Sequence, residues 1–374
     1  MKTTPSALER FYVQWEFAVG TNISASCGAE TTTADLMAMS TKEQKERYLS
    51  LGLGYRENKG DETLRELIAA EYKNLGADDV QLCCGGSEAI FLLMHSYLSP
   101  GDRIIAETPL YQTLFQVAAD HDVEVEWLPL AESEGYVPDP GRLSDLLAKK
   151  PAKMVVINHP HSPTGSILSE GLLREIVDIC GRQGVLLVSD EVYWGAFYDS
   201  ADVVPHAADL AENVVTIADM TKPYGLGGLR VGWLASLRRD ILEAASTLKD
   251  YTTMCAPAPS ELLSIIALEN KEKILARNIS IAAENIALFD GVVKGSGGRL
   301  SWVRPRGGYT GFVSLNVTGM TTREFALRLI EEKDVLVLPG DVFGDGGRFR
   351  IGVGTKRDEF ARGVEALAEL VSRL

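Results

Sequence analysis

Three apolar runs in the middle of the chain lead to a polar residue, and they do so at equal intervals. Met154-Val-Val-Ile closes on Asn158, Val185-Leu-Leu-Val-Ser closes on Asp190, and Val214-Val-Thr-Ile-Ala-Asp-Met-Thr leads into Lys222. Asp190 lies 32 residues after Asn158, and Lys222 lies 32 after Asp190. One strand–helix–strand unit takes about 30 residues. Repeats in phase therefore bring the three polar residues to the carboxyl edge of one parallel sheet, where open α/β sheets place their ligands. Runs this apolar, without alternation, predict strands covered on both faces.

Further short runs extend the pattern. Strands are expected at Arg103–Ala106, Val123–Leu128, Met154–Asn158, Val185–Asp190, Val214–Ala218 and Val231–Ala235. Amphipathic spacing predicts helices over Asp61–Leu75, with Asp61 as cap, over Ser87–Leu98 and over Leu168–Gly184. The alternation gives an α/β fold: a mostly parallel central sheet with helices on both faces. Tyr251-Thr-Thr-Met-Cys-Ala-Pro-Ala-Pro259 reads as a turn, and Ser260 to about Val293 as one long helix. Strands at Leu300–Val303, Gly311–Asn316, Val335–Leu338 and Arg348–Gly352, with helices at Thr322–Lys333 and Asp358–Leu374, form a smaller α+β unit. The expected division is an arm, 1–44, packing on the small domain; a large domain, 45–265; and a small C-terminal domain, 266–374.

Charge narrows the partners. Asp and Glu number 52 against 37 Lys and Arg, a net charge of -15. Such a chain suits neither nucleic acid nor an anionic membrane surface, since both carry the same sign. No apolar run approaches a membrane span, and the first residues show no signal peptide, so a cytoplasmic location is expected. The five cysteines are scattered, without a CxxC pair, and read as reduced thiols. No metal site is expected, because neither HExxH nor an acid-supported histidine pair occurs.

Two glycine-containing segments carry chemistry. Cys84-Gly-Gly-Ser87-Glu-Ala leads straight into a helix, where free backbone N–H groups and the helix dipole favour an anion. Lys222-Pro-Tyr-Gly-Leu-Gly-Gly-Leu-Arg230 sets an arginine, suited to grip a phosphate with two N–H groups, eight residues after a lysine.

With these segments in view, the chain resembles the fold-type-I pyridoxal-phosphate (PLP) enzymes, the class I/II aspartate aminotransferase superfamily. The resemblance rests on Tyr55-Arg-Glu-Asn-Lys-Gly60, Gly85-Gly-Ser-Glu-Ala89, Pro109-Leu-Tyr111, Pro160-His-Ser-Pro-Thr-Gly165, Ser189-Asp-Glu-Val-Tyr193, Thr221-Lys222 with Arg230, Pro339-Gly-Asp-Val-Phe-Gly344 and Phe349-Arg350. It implies the PLP-dependent transferase fold and PLP as cofactor. Lys222 would join the cofactor covalently, Asp190 would pair with its ring nitrogen, and Tyr193 would bond its ring hydroxyl. Tyr111 would stack on the ring, and Gly86, Ser87 and Arg230 would hold the phosphate. Tyr55 would reach the phosphate of a neighbouring subunit, which implies a homodimer with shared sites. Arg350 would grip the α-carboxylate of an amino-acid substrate. The chain departs from the family in two places. Ser162 stands where Asn usually bonds the cofactor hydroxyl; that contact is lost, bridged by water, or taken over by Asn158 or His161. Asp219 stands where Ser or Thr commonly meets the phosphate; it is expected to turn away and leave Thr221 to serve.

A narrower similarity is to the capreomycidine-synthase type of hydroxyarginine cyclase, found in antibiotic pathways. It is carried by Leu8-Glu-Arg-Phe-Tyr12, Asn22-Ile-Ser-Ala-Ser-Cys-Gly-Ala-Glu30, His159-Pro-His-Ser-Pro-Thr-Gly165 and Tyr251–Ser260. It implies removal of the Cα proton, loss of a side-chain leaving group, and re-addition of a nucleophile with the amino group kept. A guanidinium substrate needs a carboxylate, and Glu16 and Glu30 are the candidates, with His161 also expected at the substrate. Near Asn22 those cyclases tend to carry an acid, so another γ-substituted amino acid, such as S-adenosylmethionine, is a second substrate candidate. The alternative reaction is plain amino-group transfer to a 2-oxo acid.

Overall fold

The evenly spaced apolar runs lie side by side at the centre of the molecule. A computed structural model describes residues 3–374. Seven strands form the main sheet in the order Val80–Cys83, Gly232–Ala235, Val214–Asp219, Leu186–Asp190, Met154–Asn158, Arg103–Thr108, Glu124–Pro129. All neighbours pair in parallel except Gly232–Ala235, which runs antiparallel to both of its partners. Every residue of Met154–Asn158, Leu186–Asp190 and Val214–Asp219 is buried, as strands covered on both faces must be. Separate apolar cores flank the sheet: one holds Ile105, Val155, Ile157 and Leu187, and the other holds Ile104, Met154, Val156 and Val188. The residues alternate between the two because successive side chains of a strand point to opposite faces.

Register places the functional edge. Asn158 pairs with Asp190, and Asp190 pairs with Ile217, so three strands reach the same edge, with Val214–Asp219 running two residues beyond it. The helix Gly86–Tyr97 begins at the same edge, directly after Val80–Cys83.

A third core joins the two ends of the chain. Leu8, Phe11, Tyr12 and Ile23 pack with Phe289, Phe312, Phe325, Phe349 and Phe360. A four-stranded antiparallel sheet, Leu338–Pro339, Arg348–Gly352, Thr310–Leu315 and Leu300–Trp302, supports this core. Thr21–Asn22 adds a short parallel pairing to Val335–Leu336.

The structure differs from expectation in several elements. Val80–Cys83 is a fully buried strand that the sequence pattern did not mark. The helix expected over Asp61–Leu75 runs only Glu62–Ala69, capped by Asp61. It stops because Asp209 Oδ1 takes the backbone N–H groups of Lys73 and Asn74, at 2.8 and 2.9 Å. The Tyr72 hydroxyl is meanwhile drawn inward to Thr216 and Trp233. The long helix after the proline turn is two helices, Ala258–Glu269 and Lys271–Gly295. Asn270 breaks it, its Nδ2 donating to the Ile266 carbonyl; Asn competes in this way with regular helix bonding. The strand expected over Val335–Leu338 is two short pieces that join different sheets. Among the described residues no helix is long and apolar enough to cross a membrane.

Candidate active site

The strand ends, the N-terminus of the helix Gly86–Tyr97 and the arm enclose a cleft of about 530 Å³. Lys222 follows the strand Val214–Asp219, and its Nζ donates to Ser26 Oγ of the arm at 3.0 Å. Burial works against the lysine's charge, but Tyr193, Cys27, Asp219 and Tyr111 around it lift its pKa above the ordinary value. Two backbone bonds clamp arm to lysine loop: Gly28 N–H to the Lys222 carbonyl, 2.8 Å, and Thr31 N–H to the Gly225 carbonyl, 3.1 Å. Gly225 is required there, because its φ is +65° and a Cβ would lie 2.2 Å from the Ala29 carbonyl oxygen.

Asp190 is 4% exposed and aligned with Asn158. Burial pushes its pKa up to about 7, against the pull of the Val192 N–H and with a further push from Asp219. Asn158 spends its polar atoms on local order: Nδ2 donates to the Asp190 carbonyl and Oδ1 accepts the Ser162 N–H. Its own N–H donates to Glu107 Oε2 at 2.8 Å. Glu107 is fully buried, and desolvation raises its pKa to about 8.

At the other wall, Gly86 and Ser87 open the helix and Arg230 stands beside them. Arg230 adopts a left-handed backbone, φ +52°, a conformation that a non-glycine residue rarely keeps without a local reason. Its guanidinium lies over Gly85, where a Cβ would come within 2.3 Å of Nη2. Arg350 is 3% exposed; one Nη donates to the Tyr12 hydroxyl at 2.7 Å and to the Ser24 carbonyl at 3.0 Å. Its Nε is buried without a partner among the described residues.

Of the residues expected at the site from sequence, twelve line this cleft: Glu16, Gly86, Ser87, Tyr111, Asn158, Ser162, Asp190, Tyr193, Thr221, Lys222, Arg230 and Arg350. Three do not. His161 is buried behind the wall, with both ring nitrogens engaged by Thr164 Oγ1 and the Pro109 carbonyl. Burial lowers its pKa to about 4. Glu30 is exposed outside the cleft, and Tyr55 is 84% exposed in the single chain, beside Cys255 and Pro257. Asn22 also stays out, its Oδ1 accepting from the Ser24 N–H and hydroxyl. Asp219 does not turn away: it lines the cleft.

Sequence reading missed Leu8, Glu9, Tyr12, Ser26 and Cys27 as cleft residues. Leu8, Tyr12 and Glu16 recur at helical spacing, which marks one face of the helix Ala7–Trp15 and its C-cap. No local signal marks Ser26 and Cys27.

The class I and II aminotransferase family model matches residues 28–367. A capreomycidine synthase of Streptomyces vinaceus is 29% identical over 364 residues, spanning 97% of this chain and 92% of the relative. An aspartate aminotransferase of Pyrococcus horikoshii is 28% identical over 348 residues, 89% of this chain and 85% of the relative. Among solved structures, a PLP-dependent aminotransferase from Streptococcus suis superposes with TM-score 0.93 at 27% identity, covering 100% of this chain and 99% of the other. The PLP-dependent cyclase OrfR superposes with TM-score 0.90 at 25% identity, covering 100% and 98%.

The cleft fits PLP on its own chemistry. It offers a lysine amine for the aldehyde, and a buried carboxylate to which no cation among the described residues is hydrogen-bonded, for a ring nitrogen. A helix N-terminus with Arg230 beside it suits the phosphate. With the family model running over all but the ends of the chain, this chain belongs to the class I and II aminotransferase family of fold-type-I, PLP-dependent enzymes.

Proposed function

We propose that the protein is a PLP-dependent cyclase or lyase acting on an amino acid with a cationic side chain and a leaving group at its β or γ carbon, such as a hydroxyarginine or S-adenosylmethionine. The observation that carries this reading is the arm helix, which turns Glu9 and Glu16 into the same cleft as Arg350. Burial, with Glu9 nearby, raises the Glu16 pKa, while Lys222 and Arg350 pull it down. A guanidinium or sulfonium would relieve both the burial and the repulsion. The similarity to capreomycidine synthase and to the OrfR cyclase supports the same direction.

Bound PLP supplies an electron sink for the negative charge left at Cα. In this reading Lys222 anchors the cofactor and then moves the Cα proton. Asp190 stabilises a protonated ring nitrogen, since a buried carboxylate gains most from a cation. Tyr193 and Ser162, the latter fixed by its N–H bond to Asn158, would bond the ring hydroxyl, and Tyr111 would stack on the ring. Gly86, Ser87, Thr221 and Arg230 would hold the phosphate. Arg350 takes the α-carboxylate, and its orphaned Nε is a donor still to be satisfied. Ser26 receives the lysine's hydrogen bond when the lysine is free. Tyr55 would reach the phosphate bound by a second copy in the proposed homodimer. A β-substituent would leave after Cα deprotonation alone, and a γ-substituent after a further deprotonation at Cβ; re-addition of a side-chain nucleophile and return of those protons would then keep the amino nitrogen in the product.

Amino-group transfer to a 2-oxo acid is the second reading, favoured by the similarity to the Pyrococcus and Streptococcus aminotransferases. Mass spectrometry of products from hydroxyarginines and from S-adenosylmethionine separates the two. The proposal expects loss of the side-chain substituent with no loss of α-nitrogen. A 2-oxo acid as the main product, with pyridoxamine phosphate formed alongside it, would overturn it.

A further inference from the structure

Asp219 has no part in the scheme above, yet it stands inside the cleft with Gly86, Ser87, Thr221 and Arg230. Its two oxygens are placed differently. Oδ1 accepts the backbone N–H groups of Thr221 at 2.9 Å and Lys222 at 3.2 Å. This is the side-chain-to-backbone turn that Asp forms readily, and it fixes where the lysine leaves the strand Val214–Asp219. Oδ2 accepts from no donor among the described residues. It lies against the first residue of the helix Gly86–Tyr97: a Cβ added to Gly86 would sit 3.2 Å from it.

A carboxylate oxygen therefore shares the helix N-terminus that must receive phosphate oxygens. Phosphate oxygens are acceptors. A hydroxyl at residue 219 would donate to them, whereas an ionised carboxylate cannot donate and carries the same charge. We propose that Asp219 fixes the lysine turn while loosening the grip on the cofactor's phosphate, so that PLP is retained chiefly through Lys222 and Asp190. The cofactor then exchanges more readily than it would with a hydroxyl at this position. This rests on the reading of the cleft as the PLP site and adds a residue that tunes it.

The test compares PLP with pyridoxal, which lacks the phosphate. Binding of each to the full-length cofactor-free protein is followed by visible absorbance, with inorganic phosphate as competitor. Asp219→Asn keeps an oxygen for the Thr221 and Lys222 turn and removes the charge; Asp219→Ser supplies the hydroxyl. The expected result is PLP bound at least tenfold more tightly by both variants, pyridoxal changed several-fold less than PLP, and inorganic phosphate competing at lower concentration when PLP is held at half-saturation. Variants that bind PLP no more tightly would overturn the proposal. An equal gain for pyridoxal would also overturn it, since the effect would then act through the lysine. Failure of every form, including the unchanged protein, to bind PLP would instead refute the cofactor reading itself.

Discussion

At the scale of single residues, the cleft is defined by charges held without full compensation. Asp190 and Glu107 both have pKa values raised by burial, to about 7 and about 8. Between the ordinary carboxyl range and these values the folded chain keeps protons that the unfolded chain has released. Stability therefore falls as pH rises through that window. Cofactor-free protein is expected to melt about 5 °C lower or more at pH 8 than at pH 5, with a shallower decline in Glu107→Gln. Equal pH slopes in the two proteins would contradict the assignment to Glu107. Arg350 shows the opposite condition, a cation braced by the Tyr12 hydroxyl. Tyr12→Phe removes a hydrogen bond to a charged group, and about 1.5 kcal/mol is the usual loss, roughly tenfold in KM. That rise is expected with kcat changed much less. A fall in kcat alone would place Tyr12 in the chemical step and not in carboxylate binding.

At the scale of elements, the arm helix forms one wall of the cleft. Ser6 caps it, and Leu8, Phe11 and Tyr12 bury its apolar face against the C-terminal core. Glu9 and Glu16 are thereby presented to the cleft. Glu16→Gln is expected to raise KM about tenfold for side chains carrying a cation and to leave neutral amino acids little changed. Equal effects on both classes in steady-state kinetics would show that Glu16 does not select charge. Elements differ in how far the chain announces them. The central strands were legible because burial on both faces writes a continuous apolar run, and their polar ends because the βαβ period is regular. Val80–Cys83 was not, because its four residues include Gln81 and carry no period. The end of the helix Glu62–Ala69 was not, because it depends on Asp209, far along the chain. The same holds within the site. Lys222, Asp190 and Arg230 sit in local motifs, whereas Ser26 and Cys27 enter through an arm whose place is set by pairing with Val335–Leu336. His161 looked like a wall residue in sequence, but its ring is turned inward to Thr164 and Pro109.

At the scale of the whole molecule, the two ends of the chain close over a cofactor edge built by the middle. The net charge of -15 is compatible with the proposed binding of a phosphate and a carboxylate because three cations, Lys222, Arg230 and Arg350, line the cleft. Leu53 and Tyr55 are exposed beside the turn Cys255–Pro259, the region assigned to a second copy. Sedimentation is expected to give a species of twice 40.7 kDa. Tyr55→Asp is expected to weaken both dimer and cofactor retention; a fully loaded, active monomer would refute the shared site. The central claim concerns the fate of the amino group, and an α-15N-labelled substrate tests it most directly. Single-turnover reaction with enzyme in excess, analysed for label in product and in cofactor, is predicted to leave the 15N in a cyclised or unsaturated amino acid and the cofactor as PLP. Label recovered in pyridoxamine phosphate, together with an unlabelled 2-oxo acid, would contradict the account.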